Sequence, residues 1–357
     1  MSRNRFIGIT SRLLMACAGA LLLLSCLSVY VNPAKAWLLV PLEILFWPLT
    51  LLNAFLLLWA LLRRSKAAFI PLLALVPSFL VLGRFIQFGN SPVPEGDSLK
   101  ILSYNVGRFR SCRETPDSRA CMDSVFRFLR ESDADIICLQ EFYLPNDGHG
   151  VNEIVARKMR GWHPTSWTYT GRKGRFGNVI LSRYEPVRKG YMDFDSSANL
   201  AVWADYRIDG RTLRVYNCHL ESYNISPAGI ANAVFGRDGN LEETGRRVRR
   251  SIRQRSQQVD LIFKDIYASP VESVICGDFN DSPLSYTYQK TTRGHLDCFR
   301  EAGRGIGATF PSRLPVIRLD YILPPESMEV CTYACPAVHY SDHRPVISEI
   351  RFADIRQ

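Results

Sequence analysis

Six times after residue 100 the sequence repeats one construction, a short apolar run of strand length that ends in a polar side chain. The fullest example is Val274-Ile275-Cys276-Gly277-Asp278-Phe279-Asn280-Asp281-Ser282-Pro283, an apolar strand that enters a glycine turn and delivers a carboxylate and an amide. Folds of the α/β class bind ligands at the C-terminal edges of their strands, so a chain built this way points to a sheet whose carboxyl ends carry chemistry. One such stretch alone reads equally well as a strand followed by an Asx-turn, since Asp and Asn favour turns. Repetition separates the two readings.

Between these runs, strands and helices alternate. The patterns predict strands at residues 100–104, 135–140, 177–182, 200–208, 212–219, 271–277, 318–323 and 346–352, with Asp209-Gly210 turning one hairpin. Helices are predicted over 121–131, with apolar Val125, Phe126 and Leu129, and over 244–267, with Val248, Ile252, Val259, Ile262 and Ile266 near helical spacing. The fold class is therefore α/β with mixed sheets. From Leu99 onward about 250 residues are available, enough for one large domain with a substantial core. The sequence has no internal repeat and no low-complexity tract.

Composition divides the chain near residue 90. Residues 1–89 hold one acidic residue, Glu43, against eight basic ones, which leaves 36 basic and 33 acidic residues for the remainder. The net charge of +10 thus belongs mostly to the N-terminal segment and says little about nucleic-acid binding. Three apolar stretches, 13–31, 37–62 and 67–88, each approach the roughly 20 residues that cross a bilayer. Ala34-Lys35-Ala36 also fits a signal-peptide cleavage site. The first apolar run is longer than a usual signal core, however, and two more follow it directly. Three membrane helices are expected, the third broken by Pro71, Pro77 and Arg84 and readable instead as a re-entrant hairpin. Arg3, Arg5 and Arg12 precede the first stretch, and Arg63, Arg64 and Lys66 separate the second from the third. The positive-inside rule puts those segments in the cytoplasm and everything after residue 90 outside it, in the periplasm if the cell is bacterial. The expected division is a membrane region at 1–89, a Gly/Pro-containing linker at 90–98 and a soluble domain at 99–357.

Of ten cysteines, Cys17 and Cys26 fall in the first apolar stretch, and Cys138, Cys218 and Cys276 sit inside strand patterns as buried thiols. Cys112 with Cys121, and Cys331 with Cys335, are close enough in sequence for bridges in an oxidising compartment. No C-x-x-C pair occurs, which speaks against a structural zinc site or a redox motif.

The polar strand ends meet the needs of metal-assisted phosphoryl transfer. Residues 100–105 end in the amide of Asn105, 135–141 in the carboxylate of Glu141, and 213–219 in the imidazole of His219. Residues 318–323 contain Asp320, and Ser341-Asp342-His343 pairs an acid with an imidazole. Phosphoester cleavage needs an activated water, neutralised equatorial oxygens and a stabilised leaving oxygen. A hard cation such as Mg²⁺ takes oxygen ligands and keeps several waters, so one or two carboxylates suffice. Each residue also has a plainer reading: Glu141 as a solvated acid, Asn105 as a turn residue, His219 as a core histidine, Asp320 as a strand-end partner. The order and spacing of the set favour the chemical one.

The series Tyr104-Asn105-Val106, Leu139-Gln140-Glu141, Cys218-His219-Leu220, Gly277-Asp278-Phe279-Asn280, Asp320-Tyr321 and Ser341-Asp342-His343 resembles the endonuclease/exonuclease/phosphatase superfamily, over about residues 99–352. The superfamily includes deoxyribonuclease I, abasic-site endonucleases, neutral sphingomyelinases and inositol polyphosphate 5-phosphatases. The resemblance implies a four-layer α/β/β/α sandwich and a divalent-metal phosphoesterase using Mg²⁺, with Mn²⁺ as the alternative. It implies that Glu141, Asn105 and Asp342 ligate the metal, and that Asn105, Asn280 and His343 contact the phosphate. Asp278 would position or deprotonate the water, His343 oriented by Asp320 would act as acid/base, and His219 would help the leaving group. Abasic-site enzymes carry tyrosine where His219 stands, which argues against that branch. Residues 177–182 resemble the family's Gly-x-Ala-Ile-x-Ser strand, with Val179 in place of alanine.

Substrate is less constrained. Six arginines at 246, 247, 249, 250, 253 and 255 read either as a solvated helix face or as a contact for anionic lipid or nucleic-acid phosphates. Arg255 and Gln258 match a structural Arg-x-x-Gln pair of the family. Trp162, Trp167, Tyr169 and Phe176 lie in a Gly-rich basic region that reads as a substrate- or membrane-facing loop or as core. The expected function is a membrane-anchored hydrolase, with lipid head groups preferred because of the tether. An extracytoplasmic nuclease is the alternative, and a non-catalytic binding module on the same fold is the alternative of another class.

Overall fold

The computed structural model describes residues 3–89, 97–112, 117–195, 197–222, 241–311 and 317–353. Most of the expected 90–98 linker lies outside them. In chain order the elements are α1 (Arg3–Ser28), α2 (Val40–Ile44), α3 (Phe46–Leu62), α4 (Phe69–Leu82), β1 (Ile86–Phe88), β2 (Leu99–Asn105), α5 (Ser118–Glu131), β3 (Ile136–Pro145), α6 (Val151–Lys158), β4 (His163–Gly171), β5 (Gly174–Ser182), β6 (Pro186–Asp193), β7 (Leu200–Ile208) and β8 (Arg211–His219). There follow α7 (Leu241–Ala268), β9 (Glu272–Asp278), α8 (Tyr286–Thr291), α9 (Cys298–Ala302), β10 (Arg304–Ile306), β11 (Asp320–Leu323), β12 (Met328–Ala334) and β13 (Val346–Phe352).

Period-two alternation builds the sandwich. In β2, Leu99 and Ile101 point one way and Leu102 and Tyr104 the other, and every strand of the core divides its side chains similarly. One sheet runs β12-β13-β2-β3-β5-β4 and the other β11-β9-β8-β7-β6. Their inner faces meet in a core that joins Ile101, Ile136 and Ile180 to Val202, Val215, Val274 and Ile322. On the outer face of the first sheet, α5 and α6 bury Val125, Phe126, Leu129 and Val155. Against the second, α7 buries Val259, Ile262, Phe263 and Ile266. Two sheets between two helical layers give the expected α/β/β/α sandwich. Asp117 caps α5 by accepting from the backbone of Arg119 and Ala120, which starts that helix three residues before the apolar pattern does. The β7–β8 hairpin turns at Asp209 and Gly210, both with positive φ (50° and 77°), as a two-residue turn requires.

The basic aromatic region is not a loop. Trp162 packs on the outer core, whereas Trp167 and Tyr169 lie on β4 and Phe176 on β5, two strands joined across Gly171–Gly174. Trp167 stacks on Tyr191 of β6 at 3.5 Å. All ten cysteines are free thiols, so neither close pair is bridged.

The N-terminal helices depart from three uniform spans. The segment Gly8–Ser28 is a single apolar helix of 21 residues, long enough to cross a membrane. The second stretch bends by 59° between Trp37–Glu43 and Phe46–Leu62, and the third is an apolar helix at Lys66–Leu82. It stops short of residue 88 because β1 leaves the bundle and pairs with β10. The helices run up, down and up. Met15 and Ala18 of α1 meet Leu56 and Ala60 of α3 at one end, and Leu22 and Val29 meet Phe46 and Leu49 at the other. The second end abuts the sandwich through Asn32, Trp37, Arg84 and Phe85. Of 30 exposed large apolar side chains among the described residues, 24 lie at or before Phe88. A solvated surface rarely carries so concentrated an apolar patch.

Candidate active site

Parallel pairing of β2 with β3, and of β8 with β9, brings the ends of β2, β8 and β9 to one edge of the sandwich, level with the middle of β3, which runs on past Glu141 to Pro145. Asn105, Glu141, His219 and Asp278 all emerge there. Asp320 begins β11 directly opposite Asp278, and the turn before β13 adds Asp342 and His343. The residues singled out in the sequence therefore share one site.

Its floor is buried. Asp278, Asp320, Asn105 and His343 are each at most 5% exposed. Asn105 Nδ2 donates to Asp278 Oδ2 at 2.9 Å, and the backbone N–H of Asn280 donates to Asp278 Oδ1 at 2.8 Å. His343 Nδ1 lies 2.9 Å from Asp320 Oδ2, and its Nε2 lies 3.7 Å from Asp278 Oδ2. His219 Nε2 stands 3.8 Å from both Asp278 Oδ2 and Glu141 Oε1, beyond hydrogen-bond reach. Burial disfavours the imidazolium of His343, yet the carboxylates of Asp320 and Asp278 outweigh it and hold the ring up to about 10. Burial pushes the Asp278 carboxyl above the usual range; His343 pulls against that rise and the neighbouring Asp320 adds to it.

The rim is open. Glu141 is half-buried and Asp342 exposed. The register between β3 and β5 slips between Leu139 and Phe142, and Glu141 sits in that bulge with φ of 51°, a left-handed conformation rare for glutamate. A bulge inside a strand re-aims a side chain, here toward the site. Asp342 Oδ1 faces Gly107, whose φ is 53°; a Cβ there would lie 2.9 Å from that oxygen. Asn280, also at φ 51°, donates its side-chain amide to the carbonyl of Leu220 at 2.9 Å, so its expected hold on phosphate falls to what that bond leaves free. Gly277 is obligatory, since a Cβ there would overlap the carbonyl of Cys218 on the adjacent strand.

Several residues escaped the sequence reading. Arg108 Nε pairs with Glu141 Oε2 at 3.0 Å. Below the site, Gln140 donates to Asn217 Oδ1 (2.7 Å), and Asn217 donates to the carbonyls of Leu139 and Val179 (both 2.9 Å). Asn178 bonds the carbonyls of Leu200 and Asn217, closing a polar layer between the sheets. Alternation held the clue for Asn217, which precedes His219 by two residues and so shares its face. Arg255 is buried and donates to the carbonyl of Asn280, while Gln258 accepts from the backbone of Glu221 at 2.8 Å, a structural pair. Of the other arginines on α7, Arg246 and Arg247 pair with Glu242 and Glu243, Arg249 lies 5.3 Å over Trp37, and Arg250 and Arg253 are exposed.

A helix-flanked double sheet with acids, amides and imidazoles at one strand edge is the architecture of a phosphoester hydrolase. The chain belongs to the endonuclease/exonuclease/phosphatase family, which it matches over residues 102–343. Residues 5–85 match a separate domain of unknown function. The exodeoxyribonuclease of Bacillus subtilis (strain 168) is 32% identical over 93 residues, 26% of this chain and 31% of that enzyme. The match therefore spans about a third of the curated relative. The endonuclease/exonuclease/phosphatase from Bacteroides vulgatus superposes with a TM-score of 0.54 at 19% identity, covering 72% of this chain and 100% of that one. A humanized D. rerio TDP2 gives 0.52 at 15% identity, covering 71% and 99%. The human Nocturnin catalytic domain, bound to a sulfate anion, gives 0.51 at 13% identity, covering 72% and 95%. At such identities the likeness is one of fold.

Proposed function

We propose that this hydrolase is a membrane-anchored, divalent-metal-dependent phosphoesterase acting on phosphodiester or phosphomonoester bonds of lipid head groups. The observation that carries the chemistry is the convergence of Asn105, His219 and His343 on the one oxygen Asp278 Oδ2.

Two groups of side chains invite a cation. The ligand atoms of Asp278, Asp320 and His343 lie within 4.8 Å of one another. Both Asp278 oxygens already accept hydrogen bonds, however, and a protonated His343 has no lone pair to offer. Glu141 and Asp342 on the open rim, with Asn105 Oδ1 on the buried floor, offer oxygen ligands, so they fit Mg²⁺, or Mn²⁺ in its place. Such a cation would neutralise charge on the phosphoryl oxygens and lower the pKa of a bound water. Asp278, more basic than a solvated carboxylate, takes the proton of the attacking water as the new P–O bond forms. Imidazolium His343, fixed by Asp320, holds a phosphoryl oxygen from Nε2. His219 gives its proton to the leaving oxygen as the old P–O bond breaks.

Anchoring is supported by the concentration of exposed apolar side chains on α1, α3 and α4. Arg63, Arg64 and Lys66 lie in the loop at the end of the bundle remote from the sandwich, which favours an extracytoplasmic catalytic domain. The similarity to an exodeoxyribonuclease favours nucleic acid as the second reading.

The test is hydrolysis by the detergent-solubilised chain, with Mg²⁺ or EDTA, of phospholipid vesicles, plasmid DNA and a soluble phosphomonoester, each beside Glu141→Ala. Lipid cleavage that EDTA abolishes and Glu141→Ala lowers by at least about 100-fold supports the proposal. DNA nicking with inert vesicles overturns the lipid assignment. Inertness toward all three revives the binding-module reading.

A further inference from the structure

We infer that the N-terminal helical unit is a working part of the catalytic site, and that Arg84 is the positioning residue through which it holds the loop carrying Asp278 and Asn280. The role rests on the phosphoesterase reading above. A charge at the end of an apolar helix ordinarily reaches for water. Arg84 turns toward the sandwich instead. Its Nη1 donates to the carbonyl of Pro283 at 3.2 Å and its Nη2 to Gln289 Oε1 at 2.8 Å. Its own carbonyl accepts from Arg318 Nη2 at 3.0 Å, and Arg318 is the buried partner of Asp297, two residues before Asp320. One residue thus bonds to the two chain segments that bring Asp278 and Asp320 to the site.

The loop is held from both sides: Phe279 is buried in the sandwich core against Tyr321, whereas its far end packs into the helical unit. Leu284 is 1% exposed, and its neighbours are Leu22, Val29, Phe46, Leu75 and Phe85 of the helical unit. From the sandwich side, Arg255 holds the carbonyl of Asn280 and lies 3.4 Å from Asp281 Oδ2, while Tyr321 donates to the carbonyl of Asp281 at 2.9 Å. Asn280 holds a left-handed backbone (φ 51°), which asparagine tolerates, and these contacts fix where that turn lies. A guanidinium fork fixes two acceptors at once, which an ammonium does not. Displacing a catalytic group by about 1 Å costs on the order of 100-fold in rate, so loosening this clamp should lower turnover more than binding.

The experiment uses the full chain in detergent as wild type, Arg84→Ala, Arg84→Lys and Asn32→Ala. Asn32 joins the two units at Asp260 and at Tyr286, the first residue of α8, with no hydrogen bond to residues 278–284, and controls for docking alone. Two readouts are taken: hydrogen exchange of peptides spanning residues 278–284, and kcat and KM for bis(p-nitrophenyl) phosphate with Mg²⁺. In Arg84→Ala, loop exchange should rise and kcat fall by about 10-fold or more with KM little changed; Arg84→Lys should be intermediate and Asn32→Ala unchanged. Wild-type loop exchange in Arg84→Ala, or equal effects in Asn32→Ala, overturns the inference. If Arg84→Ala does not fold, Arg84→Lys decides: wild-type exchange and kcat there overturn it. A wild type inert toward the phosphodiester, with loop exchange still raised only at Arg84, would sink the phosphodiesterase reading and leave the clamp standing.

Discussion

At Glu141 the chain accepts a costly backbone to aim a carboxylate. A left-handed conformation at a non-glycine residue costs on the order of 1–3 kcal/mol and persists only where the surroundings enforce it. The pair with Arg108 offsets little of this, since both side chains are partly exposed. Glu141→Gly should therefore raise the unfolding free energy by about 1 kcal/mol while lowering Mg²⁺-dependent turnover by at least about 100-fold. Denaturant unfolding of the full chain checks the first half, and a loss of stability would show that side-chain contacts outweigh backbone strain. The identity of Glu141 was legible because it ends the run Leu139-Gln140-Glu141. Its backbone was not, because the bulge exists only in the register of β3 against β5. Arg108 was illegible for the same reason: nothing local says that it reaches a carboxylate 33 positions away.

Elements were readable where one face is fully buried. The bounds of β13 follow from alternation and those of β7 from a largely apolar run closed by the Asp209-Gly210 turn, while β8 and β9 stop at His219 and Asp278. Hydropathy missed β4, β6 and β12 because each carries several half-buried or exposed positions. In β6 the sequence Val187-Arg188-Lys189 faces outward at the edge of its sheet, where charge discourages pairing with another chain and also hides the strand. Between β8 and β9, Gly277 sets how closely two site-bearing strands approach. Gly277→Ala should cost about 3 kcal/mol, the upper end of overpacking in a filled core. In a variant that remains folded, activity should fall, because His219 and Asp278 are paired residues across that contact. A thermal melt of the full chain suffices as the check, and an unchanged midpoint would mean that the strands separate freely.

At the scale of the whole molecule, the bundle and the sandwich share an orientation that charge can test. Both the turn after α1 and the chain after α4 reach the sandwich, so the loop between α3 and α4, with Arg63, Arg64 and Lys66, lies at the opposite end. In the proposed topology that loop stays in the cytoplasm, held by its three positive charges, while the sandwich is translocated. The sequence exposed those charges more plainly than the bends; the 59° break between α2 and α3 falls just before Pro48, and β1 departs by pairing with β10, which hydropathy does not register. Replacing all three with alanine should yield a mixture of orientations, since Lys and Arg near the ends of membrane helices set topology and no acidic residue lies in that loop to act instead. The readout is protease digestion of intact cells and of inverted vesicles. With the native loop, the sandwich should be cut only from the outside; with the neutral loop, a fraction should become resistant in intact cells and sensitive in inverted vesicles. A native chain cut only in inverted vesicles would place the sandwich in the cytoplasm, and the arrangement of charges at the remote end of the bundle would then require another cause.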